Sequence, residues 1–401
     1  MKQGIGAYIS TIACVLALAV VCMAFTGFWP TGDNPYKSYS LQAMAWLNGR
    51  LDLGQDYPWL ELAVFEGRYY VSFPPFPSFV LLPFCLIFGV NTPDHWIVLA
   101  LLCLSTIYAQ KLYRLIRQSH EDENLLVLFL IAGNGLLNIS LQGWVWYMAQ
   151  CMCFTLSLMA LYYARTGKGG VALTCWMGAV GCRPMAAVYL PYLMLQLARH
   201  EKAIEKAKRQ NWGRYIRWCI GPALLAALYM GLNTARFGDP FEFGHNYLPE
   251  FVRAEEGQFS FEYLQKNWAE LFRWPKVDVS SGRVQFFTYG GQMMFAINPI
   301  LPLATFVIAL DGVKRRLHLD AGKMLLLSGV AAHLMIVLCH RTLGGWQFGN
   351  RYLVDMLPYV FCGMLDCMPS GKWFSGLGRI ACCEGVALNL VGMVATYNHW
   401  I

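Results

Sequence analysis

Charge is scarce in this sequence. Only 14% of its 401 residues are charged, whereas an ordinary soluble domain carries about 25%. That deficit excludes a conventional soluble domain over most of the chain. The polar loops hold almost no cysteine, although the chain has 14 of them. Cys14, Cys22, Cys103, Cys219, Cys382 and Cys383 lie in apolar runs, which speaks against a disulfide framework and for packing within spans. Cys151 and Cys153 have no neighbouring His or carboxylate to complete a metal site, and nothing completes His333 and His340. No GxGxxG or Walker loop appears, so nucleotide chemistry is not indicated. The basic residues are dispersed among short loops, so the net charge of +7 suits a surface against anionic lipid better than nucleic-acid binding. There is no internal repeat and no low-complexity tract.

What is abundant is apolar sequence, 57% of the chain, arranged in runs long enough to span a membrane. The first run, Tyr8 to Trp29, contains no charge. It has no basic leader beyond Lys2 and no small-residue cleavage site, so it reads as a retained first span. Basic clusters at Lys111/Arg114/Arg117, Arg165/Lys168, Arg199 to Arg217, Lys314/Arg315/Arg316/Lys323 and Lys372/Arg379 belong on the cytoplasmic side. The loops between them, 30–75, 234–285 and 341–351, then face outward. Parity restricts the rest. The stretch 76–90 is too short to cross and reads as re-entrant or interfacial. The stretch 171–198 must divide into two half-length helices that turn near Cys182-Arg183-Pro184, with Pro184 in the first turn of the second. Adding spans near 8–29, 96–113, 125–141, 146–164, 218–233, 286–309, 323–340, 352–368 and 380–397 gives about eleven crossings. The expected fold is all-α and polytopic, one integral membrane domain over 1–401, with Met1 inside and Ile401 outside.

The outward loops carry the candidate chemistry. In 30–75, Asn34 and Pro35 suit the start of a short amphipathic helix, Leu41, Met44, Ala45 and Leu47 recur at helical spacing, and Gly49 suits its end. Asp33 sits beside that start, either as a capping carboxylate or as a general base at the membrane boundary. Glu66-Gly67 reads as a tight turn, followed by Arg68, Tyr69 and Tyr70 in extended chain. Arg68 either snorkels to headgroups or binds the phosphate of a lipid-linked substrate. The second large loop brings Arg236, Asp239, Glu242, His245 and Tyr247 together. The last brings Arg341, Trp346, Arg351 and Tyr352 among glycines. Arg183, at the tip of two short helices, needs a partner so near the bilayer.

The runs GDNPYKSYSLQAMAWLNGRLDL, FEGRYYVSFPPFPSFVLLPFCLIFG, CRPMAAVYLPYL, NTARFGDPFEFGHNY and GGWQFGNRYLVDMLPY, in that order, resemble bacterial members of the GT-C glycosyltransferase superfamily. Similar in plan are protein mannosyltransferases and the aminoarabinose transferase of lipid A. The resemblance covers most of the chain. It implies an inverting transferase in the plasma (inner) membrane with its site on the periplasmic or outer face. The sugar would pass from a polyprenyl-phosphate carrier to a hydroxyl of a glycan, lipid or protein acceptor. It also implies Asp33 as base, with Arg68, Arg351 and Arg341 toward the phosphate, and Tyr69, Tyr70, Arg183, Asp239, His245 and Tyr352 as further substrate contacts. The family often has an acidic pair where this chain has Asp33-Asn34, so a two-carboxylate divalent-metal site is not indicated. Asp239 or Glu61 would supply a second acid. Two other classes remain open: a lipid or solute transporter, which would more often show inverted repeats, and a non-catalytic assembly subunit.

Overall fold

The computed structural model describes residues 2–117, 121–204, 212–278, 280, 283–314, 320–369 and 372–398. Lys206, Lys208, Arg209, Arg315, Arg316 and Ile401 lie outside the described residues. Among those described, six helices are long and apolar enough to cross a membrane: Tyr8–Thr26, Asp94–Ile116, Val145–Arg165, Trp212–Phe237, Ala321–Cys339 and Phe374–Tyr397. The protein is a helical, multi-pass membrane protein.

The remaining expected crossings are short or broken, and local chemistry accounts for the breaks. Near 125–141 the chain forms Glu123–Ala132 and then Leu136–Ile139. Between them the Asn134 side chain donates to the carbonyls of Phe129 and Leu130 and accepts from the Leu136 amide, replacing the helical ladder at the break. The expected span 286–309 begins later. Helix proper runs Ile300–Lys314 behind a single turn at Met294–Ile297. The span expected at 352–368 opens as a 3-10 segment, Arg351–Met356, before Leu357–Cys367.

Two expectations drawn from parity match the observed elements. Helix Phe76–Phe88 has 13 residues, a rise of about 20 Å against roughly 30 Å of hydrocarbon. The stretch 171–198 breaks where expected, with Gly169–Val180, a turn, and Pro184 opening a 3-10 segment that leads into Leu190–Ile204. The 12 residues of the first arm rise about 18 Å. Arg183 therefore sits well short of a full bilayer thickness from the end where that arm begins.

Ion pairs mark that end. Arg114 pairs with Glu123 at 2.6 Å, Arg199 with Asp320 at 3.0 Å and Arg214 with Glu201 at 3.1 Å, while Arg165 meets Asp366 and Lys323 meets Asp311. These residues lie toward the C-terminal ends of Asp94–Ile116, Val145–Arg165 and Leu190–Ile204, and near the N-terminus of Ala321–Cys339. The opposite ends of the same helices hold Trp146, His340 and the Arg183 turn. Alternation along the chain thus separates the basic clusters from the loops that carry the candidate chemistry.

The first loop departs from its expected form. Its helix is Ser38–Leu47, and Lys37 rather than Asn34 precedes it. Its buried face includes Tyr39, Ser40, Gln42 and Ala43, because Ser78 donates to Gln42 Oε1 at 2.8 Å and to the Tyr39 carbonyl at 3.1 Å. The helix is therefore clamped onto Phe76–Phe88 through polar contacts. Asn34 is an internal tie. Its amide nitrogen donates to Asp94 Oδ2 at 2.8 Å and to the Gly143 carbonyl at 2.7 Å, and Ser40 donates to Asp94 Oδ1. A Cβ at Gly143 would come within 2.5 Å of Asp94, so only glycine permits this approach. Further on, Leu62–Phe65 pairs with Arg68–Val71. Glu66 and Gly67 both have positive φ, the left-handed pair of a two-residue hairpin turn.

Candidate active site

At the end opposite those ion pairs the loops enclose a cavity of about 880 Å³, within the usual range for small-molecule sites. Its wall draws on the first loop (Glu61, Phe73), the 183–185 turn, the loop around His245 and Glu250, helix Tyr263–Phe272, and the 340–352 segment.

The deepest part is built around Tyr352. The guanidinium groups of Arg183 and Arg351 each lie 4.8 Å from its ring centroid, so one electron-rich ring serves two cations. Arg183 Nε donates to Asp355 Oδ2 at 3.0 Å. Arg351 Nη1 donates to Gln150 Oε1 at 3.1 Å, and the Gln150 amide donates back to the Arg351 carbonyl at 2.9 Å. Gln347 accepts the Arg351 backbone amide. These contacts fix the cations without neutralising both, since Asp355 is bonded only to Arg183 among them. Arg351 Nε and Arg341 Nη1 are buried with no hydrogen-bond partner, a costly state that an anionic ligand would relieve.

Two imidazoles line the same cavity, with ring centroids 6.5 Å apart. His245 Nδ1 is bonded to the Ser72 carbonyl at 3.2 Å, and His340 Nδ1 to the Thr342 carbonyl at 2.7 Å. Burial, reinforced by the neighbouring His340, pulls His245 down to about 3. It is therefore a neutral hydrogen-bonding group at ordinary pH.

Among the carboxylates lining this cavity, Glu61 alone also lines a second one. It is exposed toward the two cavities, yet protein surrounds its other sides. That enclosure raises its pKa, and neither the bond from Trp146 Nε1 at 2.9 Å nor the nearby Arg351 fully offsets the effect. Burial raises Glu250 as well, opposed by Arg341.

Of the site residues assigned from sequence, Glu61, Arg183, His245, Arg341, Arg351 and Tyr352 line the cavity. Five do not. Arg68 is exposed at the hairpin tip, Tyr69 is half-buried, and Tyr70 packs into a small cluster with Ala63 and Phe237. Asp239 is exposed and caps its own turn by accepting from the Phe241 amide at 2.8 Å. Asp33 is exposed on the loop between Phe28 and Tyr36, both of which line the second cavity. Asn34 faces Asp94 inside the protein, so residues 33 and 34 do not present a carboxylate pair to a metal. Among the described residues no group of three or more His, Cys, Asp or Glu side chains could hold one.

Sequence reasoning passed over Gln150 and Trp146, and set Asp355 aside because it formed no proton relay with Asp366 and Glu384. Gln150 lies within a buried apolar helix. A buried glutamine flanked by apolar turns was the one available signal. Asp355 follows Arg351 by four residues, but its partner is Arg183, 172 positions away.

The site is thus a cavity lined by cations and carboxylates, set into the end of a helical membrane protein opposite its basic ion pairs. No protein-family model matches the chain, and no curated protein sequence matches it. Among solved structures, it is similar to the oligosaccharyltransferase of Archaeoglobus fulgidus in its apo form, with 13% identity and a TM-score of 0.47, over 97% of this chain and 56% of that one. It is also similar to ArnT from Cupriavidus metallidurans bound to undecaprenyl phosphate, with 12% identity and a TM-score of 0.49, over 98% of this chain and 76% of that one. The chain spans little more than half the length of the oligosaccharyltransferase. At these identities the functional question falls to this chain's own residues.

Proposed function

We propose that the protein is an inverting membrane glycosyltransferase that moves a sugar from a polyprenyl-phosphate carrier to an acceptor hydroxyl on the outer face of the plasma membrane. The observation that carries this reading is the pair of arginines sharing Tyr352 at the base of the cavity, with buried donor groups left unpaired. A phosphate ester of a lipid combines the chemistry that such a floor requires: an anion for Arg183, Arg341 and Arg351, attached to a hydrocarbon that remains in the bilayer.

The chemistry asks little beyond position. The acceptor oxygen attacks the anomeric carbon and forms the new glycosidic bond. The bond from that carbon to the phosphate oxygen breaks, and polyprenyl phosphate leaves with both bonding electrons. The arginine donors stabilise the charge that grows on it. The acceptor's proton passes to a carboxylate. Asp33 is the base implied by the resemblance, and Glu61 is the one of the cavity's carboxylates that also lines the second cavity. A single displacement inverts the anomeric centre. No step here is routed through a metal. Tyr69, Tyr70, Arg68 and Asp239 would act at the periphery, in holding the loops or the headgroup region.

Mass spectrometry of glycolipids and envelope glycans from cells carrying the wild type, Glu61→Gln, Asp33→Asn or no protein tests the reading. A glycan mass present only with an active chain is the expected result. Identical profiles in all four would remove the proposal.

A further inference from the structure

Glu61, Trp146 and Arg351 also line a second cavity of about 540 Å³, and nine of its twelve lining residues are aromatic. We propose that this second cavity is a saccharide-binding cleft, so that the acceptor is a glycan presented to the transfer site as a sugar ring. The proposal rests on the glycosyl-transfer reading and names the acceptor class.

Three observations carry it. First, the rings converge from separate parts of the chain: the first loop, the start of Val145–Arg165, the 341–351 loop and the end of the last helix. Aromatic residues of an interfacial belt point outward into lipid from helix ends. Here Trp144 meets Tyr36 at 5.1 Å and Trp346 at 5.9 Å, and Trp346 meets Tyr397 at 4.9 Å. These three contacts are edge-on or tilted, Trp144 stacks on Tyr147 at 5.3 Å, and all of these rings line the same void.

Second, only two of the lining residues are charged, Glu61 and Arg351, and both also line the first cavity. Trp59 and Trp146 have their indole N–H groups engaged, with the Pro35 carbonyl at 3.1 Å and Glu61 Oε2 at 2.9 Å. Their apolar faces remain available. The axial C–H face of a pyranose packs on such a face, while its hydroxyls need a charged or polar neighbour. Glu61 and Arg351 provide the charged neighbours, on the wall shared with the first cavity, and tyrosine hydroxyls supply further polar contacts. A hydrocarbon chain would gain nothing from this edge, and a peptide would need backbone partners along its length.

Third, the shared wall has the right chemistry. A ring held by the tryptophans would put a hydroxyl beside Glu61, where the base is needed. The donor's phosphate would lie on Arg183 and Arg351 across the same wall. The two substrates would thus approach from different cavities and meet at one carboxylate.

The test is direct binding to the purified full chain in detergent or nanodiscs. The probes are chitotriose, cellotriose, maltotriose and, separately, farnesyl phosphate, read by tryptophan fluorescence and saturation-transfer NMR. At least one trisaccharide should bind saturably, and Trp59→Leu should weaken it by about tenfold, the loss expected for one stacking contact. Trp59 is 60% exposed, so that variant folds. Trp346→Leu should act in the same direction. Farnesyl phosphate affinity should be unchanged by Trp59→Leu and lost in Arg183→Ala. No saturable binding by any of the three sugars, or a Trp59→Leu effect on farnesyl phosphate instead, overturns the inference. Failure of farnesyl phosphate to bind while a sugar does would count against the donor reading and leave the cleft standing.

Discussion

Replacing Glu61 by Gln and Asp33 by Asn, each alone, separates two candidate bases by size of effect. Glu61 accepts one hydrogen bond, from Trp146 Nε1 at 2.9 Å. Glutamine accepts the same bond, so the fold should change by no more than about 1 kcal/mol. Asp33 is exposed, and the His95 ring bonds to its backbone rather than its side chain, so Asp33→Asn should cost less than about 0.5 kcal/mol. Loss of a general base removes about 100-fold to 10,000-fold in rate, or roughly 3 to 5 kcal/mol of barrier. The assay is single-turnover release of polyprenyl phosphate by purified protein across a pH series. If Glu61 is the base, its variant loses that rate at unchanged thermal stability. The enclosed carboxyl has a raised pKa, so it must lose its proton before it can act. The wild-type rate should then fall on acidification at a pH above the usual carboxylate range, and the residual rate of Glu61→Gln should show no such fall. Near-normal turnover by Glu61→Gln with loss in Asp33→Asn would refute the geometric choice and leave Asp33 as the base.

Other outcomes follow from the same contacts. Asp355→Asn strands Arg183 beside a buried neutral group and should destabilise the protein by about 3 to 5 kcal/mol, measured as a fall in detergent-solubilised melting temperature. Arg351→Ala should weaken farnesyl phosphate binding at least tenfold, whereas Arg68→Ala, at the hairpin tip, should leave it within twofold; equal effects would move the phosphate site. Because the folded protein holds His245 at about 3 and an unfolded chain binds its proton near 6.5, stability from this group is complete above that value and lost as pH falls below it. His245→Asn should flatten that acid-side decline in thermal denaturation. Reporter fusions at Gly169 and His200 should both signal the cytoplasm, and a periplasmic signal at His200 would undo the split of 171–198.

The helical breaks were legible where one residue type forced them. Pro184 fixes the start of an arm, and a basic cluster at each end of 171–198 argued against a single crossing. The break at Asn134 was not legible, because an asparagine in an apolar run looks like any polar intrusion until its side chain is seen bonding to Phe129 and Leu130. The site divided the same way. Arg183, Arg341 and Arg351 stood out because cations near a bilayer need partners. The partners themselves, Gln150 and Asp355, are joined to them across 201 and 172 positions, and no local pattern reports such a pairing. Asn34 was misassigned because its sequence context, Asn-Pro before a helical pattern, is that of a cap. Its real partner, Asp94, is 60 residues away.

The central claim turns on the fate of one bond. Purified protein in nanodiscs, supplied with a polyprenyl-phosphate sugar labelled in the sugar and an extract of envelope glycans, should release free polyprenyl phosphate. The label should appear in a new glycoside with its anomeric configuration inverted, and release should fail in Arg351→Ala. Recovery of the donor chemically intact, bound or moved between leaflets of a vesicle but never cleaved, would contradict the account and make the protein a carrier of lipid-linked sugar.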